Sequence, residues 1–387
     1  MHFSVLQERL NCDLISSWQL PLGIYPMADF VPGLELGEQF FTEAAKPIID
    51  AYFRGLRYSA AMLGWSSEVL GYDDVESMDH NWGPRFQLFL SSHDYEKYQP
   101  LLTETLSHHL PLEFRGYPTN FGVPAQGDQP VMKRVEAGPV NHKIDIETIR
   151  GRFESNLGCN PYKEIEVADW LSFSEQKLLA FTSGRVFYDG LGELEPVRRK
   201  FSYYPDDVWL YLLACQWKKI FDEEVFVGRT GYVGDELGSM IIAARMVKNL
   251  MRLCFLMEKT YAPYSKWFGT AFSRLKCSRQ LGPMFQEVLV ATSWRERESR
   301  LARAYEMIAR QHNELQITEP IDEKVSEHGR PYLILRGHRF GAAIFRRITS
   351  EKIRRIGFFG GSVSQLVESD DEVSNVPLCR KLRILYE

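Results

Sequence analysis

Residues 63–90, LGWSSEVLGYDDVESMDHNWGPRFQLFL, limit what this chain can fold into more than any other stretch. The apolar run Tyr58–Leu63 predicts a strand, and the turn that follows it contains Gly64, Ser66 and Ser67. Such small residues let backbone N–H groups and hydroxyl groups come close to a phosphate. The stretch therefore predicts a strand that leads into a phosphate-binding turn.

Two side chains after the turn are candidate metal ligands. Asp79 and Asn81 stand two residues apart before the apolar run Phe86–Leu90, and a strand through this region would point both side chains to the same side. Mg²⁺ is commonly bound by one or two carboxylates together with phosphate oxygens of its substrate. We therefore predict that Asp79 and Asn81 hold Mg²⁺ beside a nucleotide. For Asp79 in isolation, the alternatives are a turn cap and an ion pair with Arg85.

These residues resemble the nucleotidyltransferase superfamily, which includes polymerase beta and the aminoglycoside nucleotidyltransferases and carries a Gly-Ser turn followed by an Asp-x-Asp pair on a strand. Within it, the chain looks most similar to a bacterial and fungal domain-of-unknown-function family with an LG-x-GS-x-VLG turn and a DHDWGPR strand. Ser66 stands where that family has Gly, and Asn81 where it has the second Asp. The similarity continues through WLSFSEQKLL (Trp170–Leu179), GRVFYDGLGEL (Gly184–Leu194), YYPDDVWLYLLACQW (Tyr203–Trp217), GDELGS (Gly234–Ser239) and YAPYSKWFGTAF (Tyr261–Phe272).

The resemblance implies an α/β (α+β) nucleotidyltransferase-like domain with a mixed sheet, followed by a mainly helical domain, with the site in the cleft between them. It also implies Mg²⁺-dependent transfer of a nucleoside monophosphate, AMP from ATP, to a hydroxyl of a small molecule or a protein. Gly64, Ser66 and Ser67 would then hold the phosphates. Lys266, in YAPYSKWFG, would neutralise their charge; the alternative is a lysine that extends over aromatic surface.

A third carboxylate is expected on a neighbouring strand, because members of the superfamily usually have one there. Glu113, in PLEFRGY, is the candidate, and it would act as general base for the acceptor hydroxyl or complete the metal site. The alternative is an ion pair with Arg115 or Arg57, because an unpaired carboxylate on an apolar strand is costly to bury.

Asn81 also supports a second interpretation of the whole chain. Its amide supplies an oxygen ligand but no charge to hold the ion. The alternative function is therefore a catalytically inactive nucleotide-binding or scaffold module of the same fold. Asp73 and Asp74 either compensate for the missing charge or form a solvated turn cap.

Length and charge set further limits. A chain of 387 residues predicts more than one domain, which we divide as 1–160 (α/β), 161–320 (helical bundle) and 321–387 (a small α+β cap). The net charge of −5 and the pI of about 6.1 give no global electrostatic reason to bind long nucleic acid. Residues 1–14 show neither a signal peptide nor a lipidation site, and no apolar run reaches the ~18 residues that span a bilayer. We therefore expect a cytoplasmic protein without a membrane partner.

Hydrophobic periodicity predicts the remaining elements. In the first part of the chain these are a helix Leu34–Arg54 that is bent or split at Pro47, a helix His93–His109, a strand Leu112–Tyr117, a loop over 123–142 and a helix Ile144–Leu157. In the second part they are the helices Ser174–Thr182, Asp206–Glu224, Asp235–Tyr261 and Trp294–Asn313. Arg245 and Arg252 on the third of these form either a phosphate-facing stripe or a row of internal ion pairs.

Overall fold

A computed structural model describes residues 30–122, 129–327, 331–357 and 360–387. Residues 1–14 and part of the predicted loop 123–142 lie outside the described residues. The strands are β1 (Tyr58–Met62), β2 (Arg85–Leu90), β3 (Glu113–Phe114), β4 (Tyr117–Pro118), β5 (Lys143–Thr148), β6 (Arg185–Asp189), β7 (Ser326–Glu327) and β8 (Leu333–Ile334).

The helices that precede or surround the sheet are short, apart from one. They are α1 (Gly33–Gln39), α2 (Lys46–Tyr52), α3 (Ser67–Leu70), α4 (Ser92–His109), α5 (Ile149–Leu157), α6 (Val167–Ser172), α7 (Glu175–Thr182) and α8 (Leu194–Lys200). The later helices include the longest ones. They are α9 (Asp206–Glu223), α10 (Phe226–Tyr232), α11 (Glu236–Met257), α12 (Ser265–Phe272), α13 (Ser278–Val290), α14 (Trp294–Glu314), α15 (His338–Phe345), α16 (Glu351–Ile356), α17 (Val363–Leu366), α18 (Asp370–Ser374) and α19 (Val376–Leu382).

The main sheet has four strands in the order β5-β2-β1-β6. β1 is antiparallel to both β2 and β6, and β2 is parallel to β5. Side chains alternate between the two faces of a strand, so each face has its own core. Ala60, Leu88 and Ile146 pack with residues of α2 and α4 on one face, whereas Ala61 and Phe89 pack with residues of α5 and α7 on the other. The structure confirms the predicted mixed α/β sheet.

The chain after β6 is mainly helical, as predicted, and its longest helices pack together. α9 and α11 contact each other, and α14 packs on α10, α11 and α13. The buried faces are apolar, and Trp217 on α9 is completely buried. Burial of such continuous apolar stripes is what stabilises helices in globular proteins. In the last part of the chain, α15 packs on α9, and the Glu224 carboxylate accepts hydrogen bonds from the backbone N–H groups of Leu335 and Arg336.

The predicted helix Leu34–Arg54 is present but irregular. α1 continues into a π-helical turn, Phe40–Ala45, before α2 begins. Pro47 lies in the first turn of α2, inside this continuous helix, so it removes one backbone donor. A proline also clashes with the carbonyl four residues before it, which accounts for the widened turn at this point.

Two predicted elements of the first part were wrong in detail, and one strand was not predicted. The predicted helix Ile144–Leu157 is a strand followed by a helix, because β5 occupies 143–148 and pairs with β2 in the middle of the structure. The predicted strand Leu112–Tyr117 is the small hairpin β3–β4, which turns at Arg115 and Gly116, both with positive φ. β6, which the periodicity did not predict, adds an edge strand from within the range 161–320. The three-domain division stays a prediction.

Over the part of the chain that the structure describes, no helix is both long enough and apolar enough to cross a membrane.

Candidate functional site

The turn after β1 has the backbone geometry that only glycine adopts easily. Gly64 has a φ of 143°, and its N–H donates to the carbonyl of Ala180 on α7. Trp65 is exposed, Ser66 and Ser67 are half-buried, and α3 starts at Ser67. The turn follows a strand as predicted, whereas the short helix α3 after it was not predicted.

A buried ion pair closes one side of this turn. The Arg85 guanidinium at the start of β2 donates to Ser66 Oγ at 2.9 Å, and its Nε donates to Glu68 Oε1 at 3.0 Å. Both charged side chains are almost completely buried. The Ser67 hydroxyl, in contrast, has no hydrogen-bond partner among the residues that the structure describes.

Asp79 and Asn81 do not lie on a strand, which corrects the prediction. Asp79 ends a 3-10 helix, Val75–Asp79, Asn81 has a φ of 52°, and β2 begins only at Arg85. The reason is local: the Asp74 side chain caps the 3-10 helix, and the Gly83-Pro84 pair, with Gly83 at a φ of 138°, interrupts extended structure.

The two side chains consequently do not share a strand face. The Asp79 carboxylate, 58% exposed, accepts the His80 N–H at 2.8 Å and contacts the His80 ring Nδ1 at 2.8 Å. The Asn81 amide donates to Gln129 Oε1 at 2.8 Å. Both side chains offer oxygen atoms of the kind that Mg²⁺ prefers, yet the described ranges contain no group of three or more acidic, histidine or cysteine side chains that could hold a metal ion. The fit to Mg²⁺ is therefore partial.

The neighbouring acids have structural roles. Asp74 provides the cap just described, which agrees with the turn-cap alternative. Asp73 accepts hydrogen bonds from the Gly33 N–H at 2.7 Å and from the Trp82 indole at 3.1 Å. Both carboxylates thus have structural roles, and each has one oxygen atom without a hydrogen-bond partner in the described residues.

Glu113 does not lie on a strand next to β2, which also corrects the prediction. It belongs to the separate hairpin β3–β4 and forms a 2.7 Å ion pair with Arg134. Arg115 pairs with Glu43 instead, and Arg57 donates to the carbonyls of residues 190 and 191. Glu113 is thus ion-paired, but with neither of the two arginines that the sequence analysis named.

Lys266 is exposed on α12, with its Nζ 5.0 Å from the centroid of the Trp267 ring. This is the lysine-over-aromatic alternative. Its helix nevertheless reaches the region of the turn, because Trp267 stacks on Tyr72 at a centroid distance of 5.0 Å. Before α12, the Tyr264 ring meets Trp65 edge to face at 6.4 Å.

Two carboxylates that the sequence analysis missed lie on β5. In the parallel pairing, Asp145 stands opposite Gln87 and Glu147 opposite Phe89. The Gln87 Oε1 accepts the Leu63 N–H at 2.8 Å, so this face of the sheet adjoins the turn. The period-2 alternation of KIDIET was the signal that could have revealed this strand.

Glu147 is the carboxylate with the most altered environment in this region. Burial raises its pKa to about 7, the Arg152 guanidinium on α5 opposes this rise, and Asp145 adds to it. Arg152 Nη1 lies 3.4 Å from Glu147 Oε1 without hydrogen-bond geometry, and its Nη2 donates to the Leu63 carbonyl at 3.4 Å. Arg152 therefore connects Glu147 with the residue that precedes Gly64.

The predicted stripe on α11 consists of ion pairs. Arg245 pairs with Glu223 at 2.8 Å, and Arg252 pairs with the buried Glu175 at 2.5 Å. A cavity of about 1010 Å³ separates the segment after the turn from the helical part and is lined by Leu70 on one side and by residues of α11 and α13 on the other. The predicted site residues do not line this cavity.

Comparisons with known proteins support part of the resemblance. The model of a family described as "Domain of unknown function (DUF4037)" matches residues 170–268, which is less than half of the chain. No curated protein matches. A solved structure of a nucleotidyltransferase-like protein from Exiguobacterium sibiricum 255-15 is similar over 79% of this chain and 88% of that one, with a TM-score of 0.32 and 8% sequence identity. A similarity at this level does not assign an activity.

Proposed function

We propose that this protein is a nucleotidyltransferase that moves a nucleoside monophosphate, AMP from ATP, onto a hydroxyl of a small molecule or a protein. One observation carries the proposal. The small-residue turn at Gly64 and the carboxylates of β5 adjoin the same face of the sheet, where Gln87 binds the Leu63 N–H and Arg152 binds the Leu63 carbonyl.

The phosphates would lie at the turn. Gly64 leaves room there: the nearest atom to a β-carbon built at this position is Arg152 Nη2, at 3.8 Å. The half-buried Ser66 and Ser67 hydroxyls and the Arg152 guanidinium are suitable donors for phosphate oxygens. Lys266, on the helix that reaches this region, would add a positive charge at the rim.

Glu147 is a better candidate for the general base than Glu113. Glu113 lies on a separate hairpin and is paired with Arg134, whereas Glu147 lies on the strand beside β2. A carboxyl whose pKa is near 7 can accept a proton from an acceptor hydroxyl at neutral pH. Positioning of the two substrates and neutralisation of the phosphate charge would provide the rest of the rate enhancement.

Asp79 and Asn81 are proposed to hold Mg²⁺, since their oxygen atoms precede β2 on the chain and Asp79 is exposed. The ion, when bound, neutralises charge on the phosphates. A second candidate function, an inactive nucleotide-binding module, is favoured by the neutral Asn81 and by the partial metal fit. In that case the protein would bind nucleotide without turnover.

Calorimetry with Mg²⁺ and ATP tests the site. Asp79→Ala should abolish Mg²⁺-dependent ATP binding, whereas Glu76→Ala, which removes an exposed acid from the same 3-10 helix, should leave the affinity unchanged. Unchanged affinity in Asp79→Ala would exclude this residue from the site.

Pyrophosphate release tests the chemistry in the same variants. Glu147→Gln should bind Mg²⁺-ATP as the wild type does and release pyrophosphate at least about 100-fold more slowly, as expected for loss of a general base. Wild-type protein that binds ATP but releases no pyrophosphate with any hydroxyl acceptor would support the inactive module instead.

A further inference from the structure

A second cavity, of about 320 Å³, lies between α7, α11 and the segment that leads from Ser364 into α18. We call it the amide cavity after two of its lining residues, Gln176 and Asn249. Its volume falls within the range of small-molecule sites. The side chains that line the cavity therefore indicate which chemical class of ligand it suits.

Lys219 is the lining cation of the amide cavity that has no carboxylate within ion-pair distance in the described part of the chain. It donates to the Gln365 carbonyl at 2.7 Å. The other two lining cations are paired: Arg252 with the buried Glu175, and Lys248 with Glu368 at 3.5 Å.

The third lining carboxylate, Asp370, accepts a hydrogen bond from the Ser265 hydroxyl and forms no ion pair within the described residues. The lining thus contains three cations and three carboxylates, and Lys219 is the cation left without a carboxylate partner.

A chain of hydrogen bonds fixes the orientation of the Asn249 amide. Gln365 Oε1 accepts the Ser362 N–H at 3.1 Å, so Gln365 Nε2 is the donor to Gln216 Oε1 at 2.9 Å. The amide nitrogen of Gln216 then donates to the Asn249 backbone carbonyl at 3.0 Å and to Asn249 Oδ1 at 3.4 Å. The Asn249 side chain is left with its N–H₂ group as an unused donor.

Gln176 is oriented in the same way. Its Oε1 accepts the Tyr264 N–H at 2.7 Å, which leaves its N–H₂ group as donor. Gln176 and Asn249 are each only 6% exposed, and neither amide nitrogen has a hydrogen-bond partner among the described residues. Buried donors without acceptors are uncommon and unfavourable, so an acceptor-rich group is expected beside them.

We propose that the amide cavity binds the phosphate group of a small molecule. Phosphate has enough oxygen atoms to accept hydrogen bonds from Lys219, from the free N–H groups of Arg252 and from both amides at once, whereas a carboxylate has only two. The cavity is larger than a phosphate, which leaves room for an organic part. This site does not depend on the proposed nucleotidyltransferase function, because its lining residues do not include the turn residues Gly64, Ser66 and Ser67 or the proposed metal ligands Asp79 and Asn81.

Calorimetry of the full chain without Mg²⁺ tests this site separately from the turn. The probes are inorganic phosphate, glycerol 3-phosphate and malonate, which represent the free anion, the ester and a carboxylate. Lys219→Gln and Asn249→Leu should each weaken binding of the phosphate probes roughly 10- to 100-fold, the effect of losing one hydrogen bond to a charged ligand. Gln216 retains its bond to the Asn249 backbone in the second variant, so the fold should persist.

Lys218→Gln is the matched control, since Lys218 is the adjacent residue, carries the same charge and pairs with Asp222 on the surface. It should bind both phosphate probes as the wild type does. Tighter binding of glycerol 3-phosphate than of phosphate would identify an ester as the ligand, and equal binding would identify free phosphate. The proposal is overturned if neither phosphate probe binds the wild type, if Lys219→Gln and Asn249→Leu bind like Lys218→Gln, or if malonate binds as tightly as phosphate.

Discussion

The ionisation of Glu147 should make the stability of this protein depend on pH. Burial raises its pKa from the ordinary value of 4.5 to about 7, although Arg152 partly opposes this change. Between these pH values the folded chain binds more protons at this residue than the unfolded chain does, so the free energy of unfolding falls as pH rises. This loss of stability is absent below pH 4.5. It is complete above pH 7, where the free energy of unfolding is lower by about 3 kcal/mol.

Glu147→Gln isolates this contribution, because glutamine has the shape of the neutral acid and does not ionise. We expect wild type and variant to be similarly stable near pH 4.5. Above pH 7 the variant should be more stable by up to about 3 kcal/mol. Urea unfolding followed by circular dichroism at both pH values measures the difference.

Glu154→Gln is the control for this comparison. Glu154 is exposed on α5, where it pairs with Arg150, and its removal should change stability by less than about 1 kcal/mol at either pH. If Glu147→Gln changed the free energy of unfolding equally at both pH values, the raised pKa of Glu147, and with it the argument for this residue as general base, would be refuted.

Three further predictions concern the predicted metal ligand Asn81, the buried ion pair beside the turn and the end of β1. Asn81→Asp should gain more thermal stability from Mg²⁺-ATP than the wild type does, because it adds a ligand charge; an equal gain in both proteins would place Asn81 away from the metal. Glu68→Gln leaves Arg85 buried without its counter-charge and should lower the free energy of unfolding by about 3–5 kcal/mol in urea, and an unchanged urea midpoint would contradict the buried pair. Gly184→Ala should lower the melting temperature more than the control Gly192→Ala does. Both positions have positive φ, but only at 184 does an added β-carbon overlap the backbone at the end of β1. Equal decreases in melting temperature would show that the structure relieves this overlap.

Local patterns were sufficient to predict the first two strands and the four longest helices of the described residues, α4, α9, α11 and α14. Tyr58–Leu63 and Phe86–Leu90 match β1 and β2 to within a residue, and the predicted helix Ser174–Thr182 differs from α7 only by its N-cap residue, Ser174. These elements are specified by apolar spacing and capping residues, which lie within a few positions of one another.

β5 could not be assigned in the same way, because its residues satisfy two patterns. Ile146, Ile149 and Phe153 suit a helical face, and Ile144 and Ile146 also suit one face of a strand. The choice is decided by pairing with β2, more than fifty residues earlier in the chain. The carboxylates of β5 were missed for this reason.

Asp79, one of the two predicted metal ligands, shows how a contact between other residues changes the interpretation of a motif. From the sequence, Asp79 had Arg85 as a possible ion-pair partner, which would have neutralised its charge. In the structure the Arg85 guanidinium is directed to Glu68 and Ser66 and is buried there. A guanidinium held by a buried carboxylate is not available to an exposed one, because leaving Glu68 unpaired would cost several kcal/mol, whereas an exposed ion pair contributes about 1 kcal/mol or less. Arg85 is therefore not the ion-pair partner of Asp79, whose carboxylate contacts His80 instead.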